Sequence, residues 1–534
     1  TYSAEIKGAT NFALSSNVTS GTITPYKVWK ENEDQILYGS DPGANDNFGH
    51  AVAVDGNYAV VGSRYNDTGG TDRGAAFIFH KSGGTWTEQA MVQPSDTADN
   101  DWFGRGAAIS GDYVIVNAYA KTTNNTGQGA AYIFYRSGTS WTQQAKLNAS
   151  DGAAGDAYSY SVDIDGDYAI VGSLNEDPGG TSNAGSAYIY VRSGTSWSQQ
   201  AKIQASDKEA NDTFGRGVTI SGDYAAVGAD NEDTSGSNAG SVYIFKKGSL
   251  LSTFTESTIG TVSYDRTSNG KEYWKRNGTD AFFVENDNGV IKWNDILNQD
   301  PVKFNFTQST SQPSILHGNG HVEDITSKNG WYLHYFDGTN NYLGYTKINI
   351  DDGTEVWSQQ QKIQSSDIQA DDYFGGGAGQ GVSLSGDYLA VGARKEDTGG
   401  SEAGSVYIFK KASGSETWSQ EAKLQASDVS ANSQFGISVS LSGTTLAVSA
   451  DQEDTIGTDA GAAYIFERSG TTWTEVKRIT ASDGQANDYF GTSISTDGTT
   501  TFVGAYREDT KGSSAGAAYV YEKVNVLDFD GYNK

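Results

Sequence analysis

The chain repeats one unit seven times, and a long in-phase repeat restricts the fold before any single residue does. Each unit reads approximately W-x-x-x-A-K-I-x-A-S-D-x-x-A-N-D-x-F-G-x-S-V-x-I-S-G-D-Y-A-V-V-G-A-x-x-E-D-T-x-G-S-x-A-G-A-A-Y-I-F. The tryptophans are Trp29, Trp86, Trp141, Trp197, Trp357, Trp418 and Trp473. The Ser-Asp aspartates that follow are Asp41, Asp96, Asp151, Asp207, Asp367, Asp428 and Asp483. Each unit of about 55 residues holds four short strand-like runs joined by Gly-bearing turns. That combination predicts an all-β fold, a seven-bladed β-propeller.

The register predicts how the ring closes. The last copy ends on Ala517-Ala518-Tyr519-Val520-Tyr521, a third strand with no Trp strand after it. The first Trp strand, around Trp29 to Tyr38, has no inner strands of its own. It should therefore be the outer strand of the seventh blade, so that no interior sheet edge stays open. The step from Trp197 to Trp357 is about a hundred residues longer than the others, which marks an insertion in blade four. The expected organisation is 1–24 as the end of a preceding β module and 25–248 as blades one to four, with 25–38 the outer strand of blade seven. An inserted β domain follows at 249–356, then blades five to seven at 357–523 and a tail or further module at 524–534. Both ends read as fragments of β-sandwich-like modules, and the start at Thr1 reads as a processed chain or a piece of a longer one.

Composition limits the partners. A net charge of -29 argues against nucleic acid and anionic membrane surfaces, and it suits a soluble protein in a salty medium or one that binds cations. No apolar run is long enough for a membrane-spanning helix, so no membrane insertion is expected. Seven sequons, at Asn17, Asn66, Asn124, Asn148, Asn211, Asn277 and Asn305, are glycosylation sites if the chain passes through a eukaryotic secretory route.

The copies F-G-R-G-V-T-I-S-G-D-Y-A-A-V-G-A (Phe214 to Ala229) and F-G-T-S-I-S-T-D-G-T-T-T-F-V-G-A (Phe490 to Ala505) resemble the FG-GAP repeat, known from the integrin α-chain propeller and from bacterial and viral surface proteins. The resemblance implies a secreted or surface-displayed propeller used for adhesion, ligand binding or assembly, usually without catalysis. Integrin-type copies hold calcium in a D-x-D-x-D-G-like loop between the first two strands. Here that loop is only Ser-Gly-Asp, as at Ser110-Gly111-Asp112, too short to wrap an ion that takes about six to eight oxygens. Asp163-Ile164-Asp165-Gly166-Asp167 is the nearest imitation.

The repeated carboxylates lie in two other loops. The loop entering each blade carries pairs such as Asp207 with Asp212 and Asp483 with Asp488, and the loop after the second strand carries Asp233 and Asp509. Strand alternation puts both loops on one face, which should be strongly negative. Two readings stand. The side chains bond nearby backbone N–H groups and hold loop shape, or Asp207, Asp212, Asp233, Asp483, Asp488 and Asp509 hold calcium or another hard cation.

Catalysis finds little support. There is no cysteine nucleophile, and His317-Gly318-Asn319-Gly320-His321-Val322-Glu323-Asp324 lacks the helical zinc-site spacing. The insertion is unique where the blades are redundant. Its Trp274, Trp293, Trp331 and Tyr335 are the residue types that stack on sugars, and equally those that fill the core of a small domain. The leading expectation is a non-enzymatic module of a longer extracellular, cell-surface or virion-surface fibre, with other surface proteins or copies of itself as partners. Carbohydrate binding through the insertion is the alternative, and polysaccharide cleavage ranks behind both.

Overall fold

In a computed structural model of the chain, residues 24–122, 127–248, 356–377 and 380–528 are described, together with strand backbone within 254–348. Two compact units emerge, one running to Lys246 and resuming at Ser358, the other spanning Lys247–Trp357. The first is a ring of seven antiparallel blades. Blade one shows the plan: strand A is Phe48–Asp55, strand B Tyr58–Ser63, strand C Ala75–Ser82 and strand D Thr85–Val92.

Strand B of blade one is buried from Ala59 to Ser63, because a blade neighbour covers each of its faces. Small residues let those neighbours approach. A Cβ on Gly228 in strand B of blade four would lie 2.1 Å from the Gly375 carbonyl oxygen of the next blade. Where the ring closes, a Cβ on Gly504 would lie 1.9 Å from the Gly49 oxygen. The glycines of the Phe-Gly and Val-Gly-Ala runs thus meet each other across blade boundaries, and any side chain there would force the blades apart.

Ring closure follows the register. Strand C of blade seven, Ala517–Asp528, pairs with Thr24–Trp29 and Gln35–Leu37, setting Trp29 opposite Lys523 and Ile36 opposite Tyr519. Two details differ from the expectation. The outer strand is split at Lys30–Asp34, where this copy carries two more residues between Trp and Ser-Asp than its siblings and a Lys30–Asp34 ion pair spans the kink. Val524–Asp528, expected to open a following module, continues strand C of blade seven and pairs with Thr24–Val28.

The repeated tryptophans fasten neighbours. Nε1 of Trp86 donates to Glu522 of blade seven at 3.1 Å, and Nε1 of Trp141 donates to Gln89 of blade one at 2.9 Å. Trp141, Trp197, Trp418 and Trp473 each set an edge against a tyrosine of the preceding blade. Each ring therefore covers an outer blade edge and holds the adjacent blade at once.

The chain leaves the ring after strand C of blade four, Ser241–Gly248, and re-enters at its strand D, Val356–Ile363. The described backbone between them forms a five-stranded meander from Phe254 to Asp295, a three-stranded sheet and a two-stranded sheet. Trp274 lies opposite Phe282 and Trp293 opposite Val284 in the meander, while Trp331 and Tyr335 share the central strand Gly330–Phe336 of the three-stranded sheet.

Candidate functional site: acidic struts around a basic channel mouth

Blade four shows what the repeated acids do. Lys362 on strand D places Nζ 2.8 Å from Asp207 Oδ2 and 2.8 Å from Glu232 Oε1. The Ser241 hydroxyl donates to the other oxygen of Glu232, which is only 4% exposed. Burial raises the Asp207 carboxyl, but the Lys362 ammonium outweighs it and holds the group below the ordinary range. Asp212 accepts the Glu209 N–H at 2.6 Å, and Asp233 accepts the Asn238 N–H at 2.7 Å. The same lysine bridge recurs as Lys202 between Asp151 and Glu176 and as Lys423 between Asp367 and Glu396, and Arg478 takes that place in blade six.

In blade seven, Asp483 accepts the Tyr519 hydroxyl at 2.8 Å, Asp488 the Gln485 N–H at 2.7 Å and Asp509 the Ser514 N–H at 2.6 Å. Burial pushes Asp488 up to about 6. Here Ile36 stands at the lysine position and Ala517 at the serine position. Glu508, 1% exposed, is left with a buried Oε2 that has no partner. Among the described residues, no group of three or more His, Asp or Glu side chains is arranged to hold a metal ion.

The Asp163–Asp167 run joins blades. Asp163 Oδ2 accepts the Ile220 N–H and Asp165 accepts the Gly222 N–H, both from blade four. Of the sequons, Asn66 is 1% exposed and donates to Asp46, whereas Asn211 is exposed and Asn148 half-buried. Asn17, Asn124, Asn277 and the segment His317–His321 lie outside the described residues, as do the side chains of Asn305, Trp274, Trp293, Trp331 and Tyr335.

Repetition breaks inside the ring at the end of the central channel on the acidic-loop face. The residue just after the Phe-Gly-like pair lies at that end in six blades and varies among them, with arginine twice: His50, Arg105, Tyr160, Arg216, Ile437 and Thr492. With Arg64, Asp451 and Tyr506 from the ends of strand B, they help to line a cavity of about 350 Å³. Arg105 sits 3.8 Å over the Tyr160 ring and donates to the Tyr160 carbonyl at 2.8 Å. Arg64 sits 4.4 Å over Tyr65 and 5.7 Å from the Tyr506 ring. These contacts align the guanidiniums without neutralising them.

Arg216 and Arg394 both reach the fully buried Asp230, at 3.1 and 3.4 Å. Among the described residues, Arg64 and Arg105 have no such carboxylate; their bonds go to Asn47 Oδ1 and a backbone carbonyl. Burial, then Arg64 and Arg105, hold His50 well below its ordinary value, so it stays neutral and its Nδ1 faces the Arg105 carbonyl at 3.0 Å. Burial raises Tyr160, but Arg105 and Arg216 outweigh it and lower the phenol. Below the mouth, a four-residue glycine-rich extension of blade five carries Gln380 into the channel, where its Nε2 reaches the Val162 carbonyl at 3.4 Å and its own carbonyl accepts the Val439 N–H. On the face expected to be negative, some of the repeated carboxylates are paired with lysine or arginine and others accept N–H or hydroxyl bonds, around a basic, aromatic centre.

A sequence profile of the FG-GAP repeat matches residues 32–79, 86–134, 141–190, 197–245, 357–409, 418–466 and 473–521, well over half of the chain. The protein belongs to the FG-GAP repeat family. No curated protein matches this FG-GAP chain in sequence. Among solved structures it is similar to Sqt1 of Saccharomyces cerevisiae, at 9% identity and a TM-score of 0.36, with 92% of this chain and 99% of that one covered. It is also similar to a chain of the mitotic checkpoint complex, at 10% identity and a TM-score of 0.41, with 96% and 98% covered.

The mouth of this FG-GAP ring was not among the residues singled out from sequence. The signal is present as variation: the position after Phe-Gly holds six residue types in seven copies, arginine twice, while its surroundings repeat.

Proposed function

We propose that this FG-GAP propeller is a non-enzymatic binding module, displayed outside a cell or on a particle surface, that serves adhesion or assembly within a longer multidomain protein. The observation that carries the reading is the contrast inside the ring. The repeated acids make internal bonds, while an unrepeated cavity of about 350 Å³ at the channel mouth gathers arginines, tyrosines and a buried acid. Such a concave, unique, polar site is where a rigid ring offers specificity. Partners would be other surface proteins, copies of the same chain, or surface glycans. The polar, tyrosine-lined mouth favours the glycan reading for the ring itself.

The test compares the full chain with a variant lacking 249–355 on a glycan array, with sedimentation of each to read self-association. The proposal expects binding or self-association, retained by the ring alone and with no array glycan cleaved. Cleavage would overturn the non-enzymatic reading, and binding lost with 249–355 would move recognition to the insertion.

A further inference from the structure

We propose that the channel mouth binds an acidic sugar, a saccharide carrying a carboxylate or a sulfate. The inference deepens the binding-module reading and rests on it. Two unmet demands face the same cavity. Arg64 and Arg105, half-buried from blades one and two, lack a carboxylate partner among the described residues, and their rings of Tyr65 and Tyr160 hold them in place. Paired guanidinium forks without a counter-ion suit an oxyanion, which they bind through charge-assisted hydrogen bonds. From blade six, Asp451 lines the cavity with a buried Oδ1 that no donor reaches. A buried acceptor of this kind costs free energy until a hydroxyl or N–H donates to it.

One ligand class meets both demands: an oxyanion for the arginines and a hydroxyl for Asp451, on a compact polar frame. The rest of the wall fits the same class. Gln434 donates to Gln452 at 2.9 Å, which leaves one amide acceptor and one amide donor of that pair for ligand hydroxyls. Tyr489 and Tyr506 add phenol rings at the rim. The volume of about 350 Å³ lies at the small end of ordinary ligand sites, which span roughly 300–1,000 Å³. An acidic peptide would satisfy the arginines and offers N–H donors to Asp451, but it brings no hydroxyl-rich frame to the Gln434–Gln452 pair.

Isothermal titration of the full chain at low salt with glucuronate, galactose 6-sulfate, glucose and an acidic hexapeptide tests the assignment. Glucuronate or galactose 6-sulfate should bind, glucose should bind at least about tenfold more weakly, and added salt should weaken binding. Arg64→Gln and Arg105→Gln, each checked for an unchanged melt, should each cost about tenfold. Should Arg105→Gln fail to fold, Arg64→Gln and Arg105→Lys carry the test, since lysine keeps charge and loses the fork. Equal binding of glucose, unchanged affinity in the arginine variants, no binding of either acidic sugar, or a preference for the peptide would each overturn the inference. If both acidic sugars fail while the ring still adheres or self-associates, the sugar assignment falls and the module reading stands.

Discussion

Lys362 sits between two carboxylates, and the cost of removing it differs from the cost of removing either acid. Lys362→Met leaves Glu232 charged, buried and short of its cation, so unfolding in urea should show a loss of about 3 kcal/mol. Asp207 is more exposed, and Asp207→Asn should cost about 1 kcal/mol or less. Blade seven supplies the reverse experiment. Ile36→Lys puts an ammonium where Glu508 Oε2 lacks a partner, and the denaturation midpoint should rise; an unchanged or lower midpoint would mean that Glu508 needs no bridge. Asp451 makes stability depend on pH. Burial, with Asp459 beside it, raises its carboxyl to about 7, so the folded state holds a proton that the unfolded chain releases near pH 4. Its contribution is full below about pH 4 and is lost as pH rises to about 7. Asp451→Asn should flatten that decline and raise Tm at pH 8 while leaving Tm at pH 4 nearly unchanged. A parallel shift at both pH values would contradict this assignment.

At the scale of strands, backbone contact sets tolerance. Gly228→Ala drives a methyl group into the Gly375 carbonyl and should cost about 3 kcal/mol. Gly222→Ala, at φ +57 in a turn with nothing near its Cβ, should cost roughly 1 kcal/mol from backbone strain alone. Ring closure is tested by Trp29→Ala, which removes a buried indole and its bond to Glu467 and should destabilise by about 3–5 kcal/mol. This level was the most readable from sequence. Period-two runs, Ser-Gly-Asp turns and the Trp register each have a local cause, so blade count, strand order and closure followed from them. The split at Lys30–Asp34 escaped because two extra residues in an outer strand do not disturb its hydrophobic pattern.

For the whole molecule, the legible part and the hidden part divide along the symmetry. Loops repeated in every blade announced their acids, but their partners are lysines, serines and tyrosines brought in from other strands, so sequence could not tell a strut from a metal ligand. The mouth was harder, because six blades each contribute residues about fifty or more positions apart and only ring closure makes them neighbours. The account therefore assigns scaffold work to what repeats and recognition to what varies. Three proteins on one glycan array test that division most directly: the native chain, Arg64→Gln/Arg105→Gln, and the strut variant Asp233→Asn. The account predicts that the arginine variant loses binding at an unchanged melt, whereas Asp233→Asn keeps binding even if its Tm falls. Binding that survives in the arginine variant and disappears with Asp233 would contradict it.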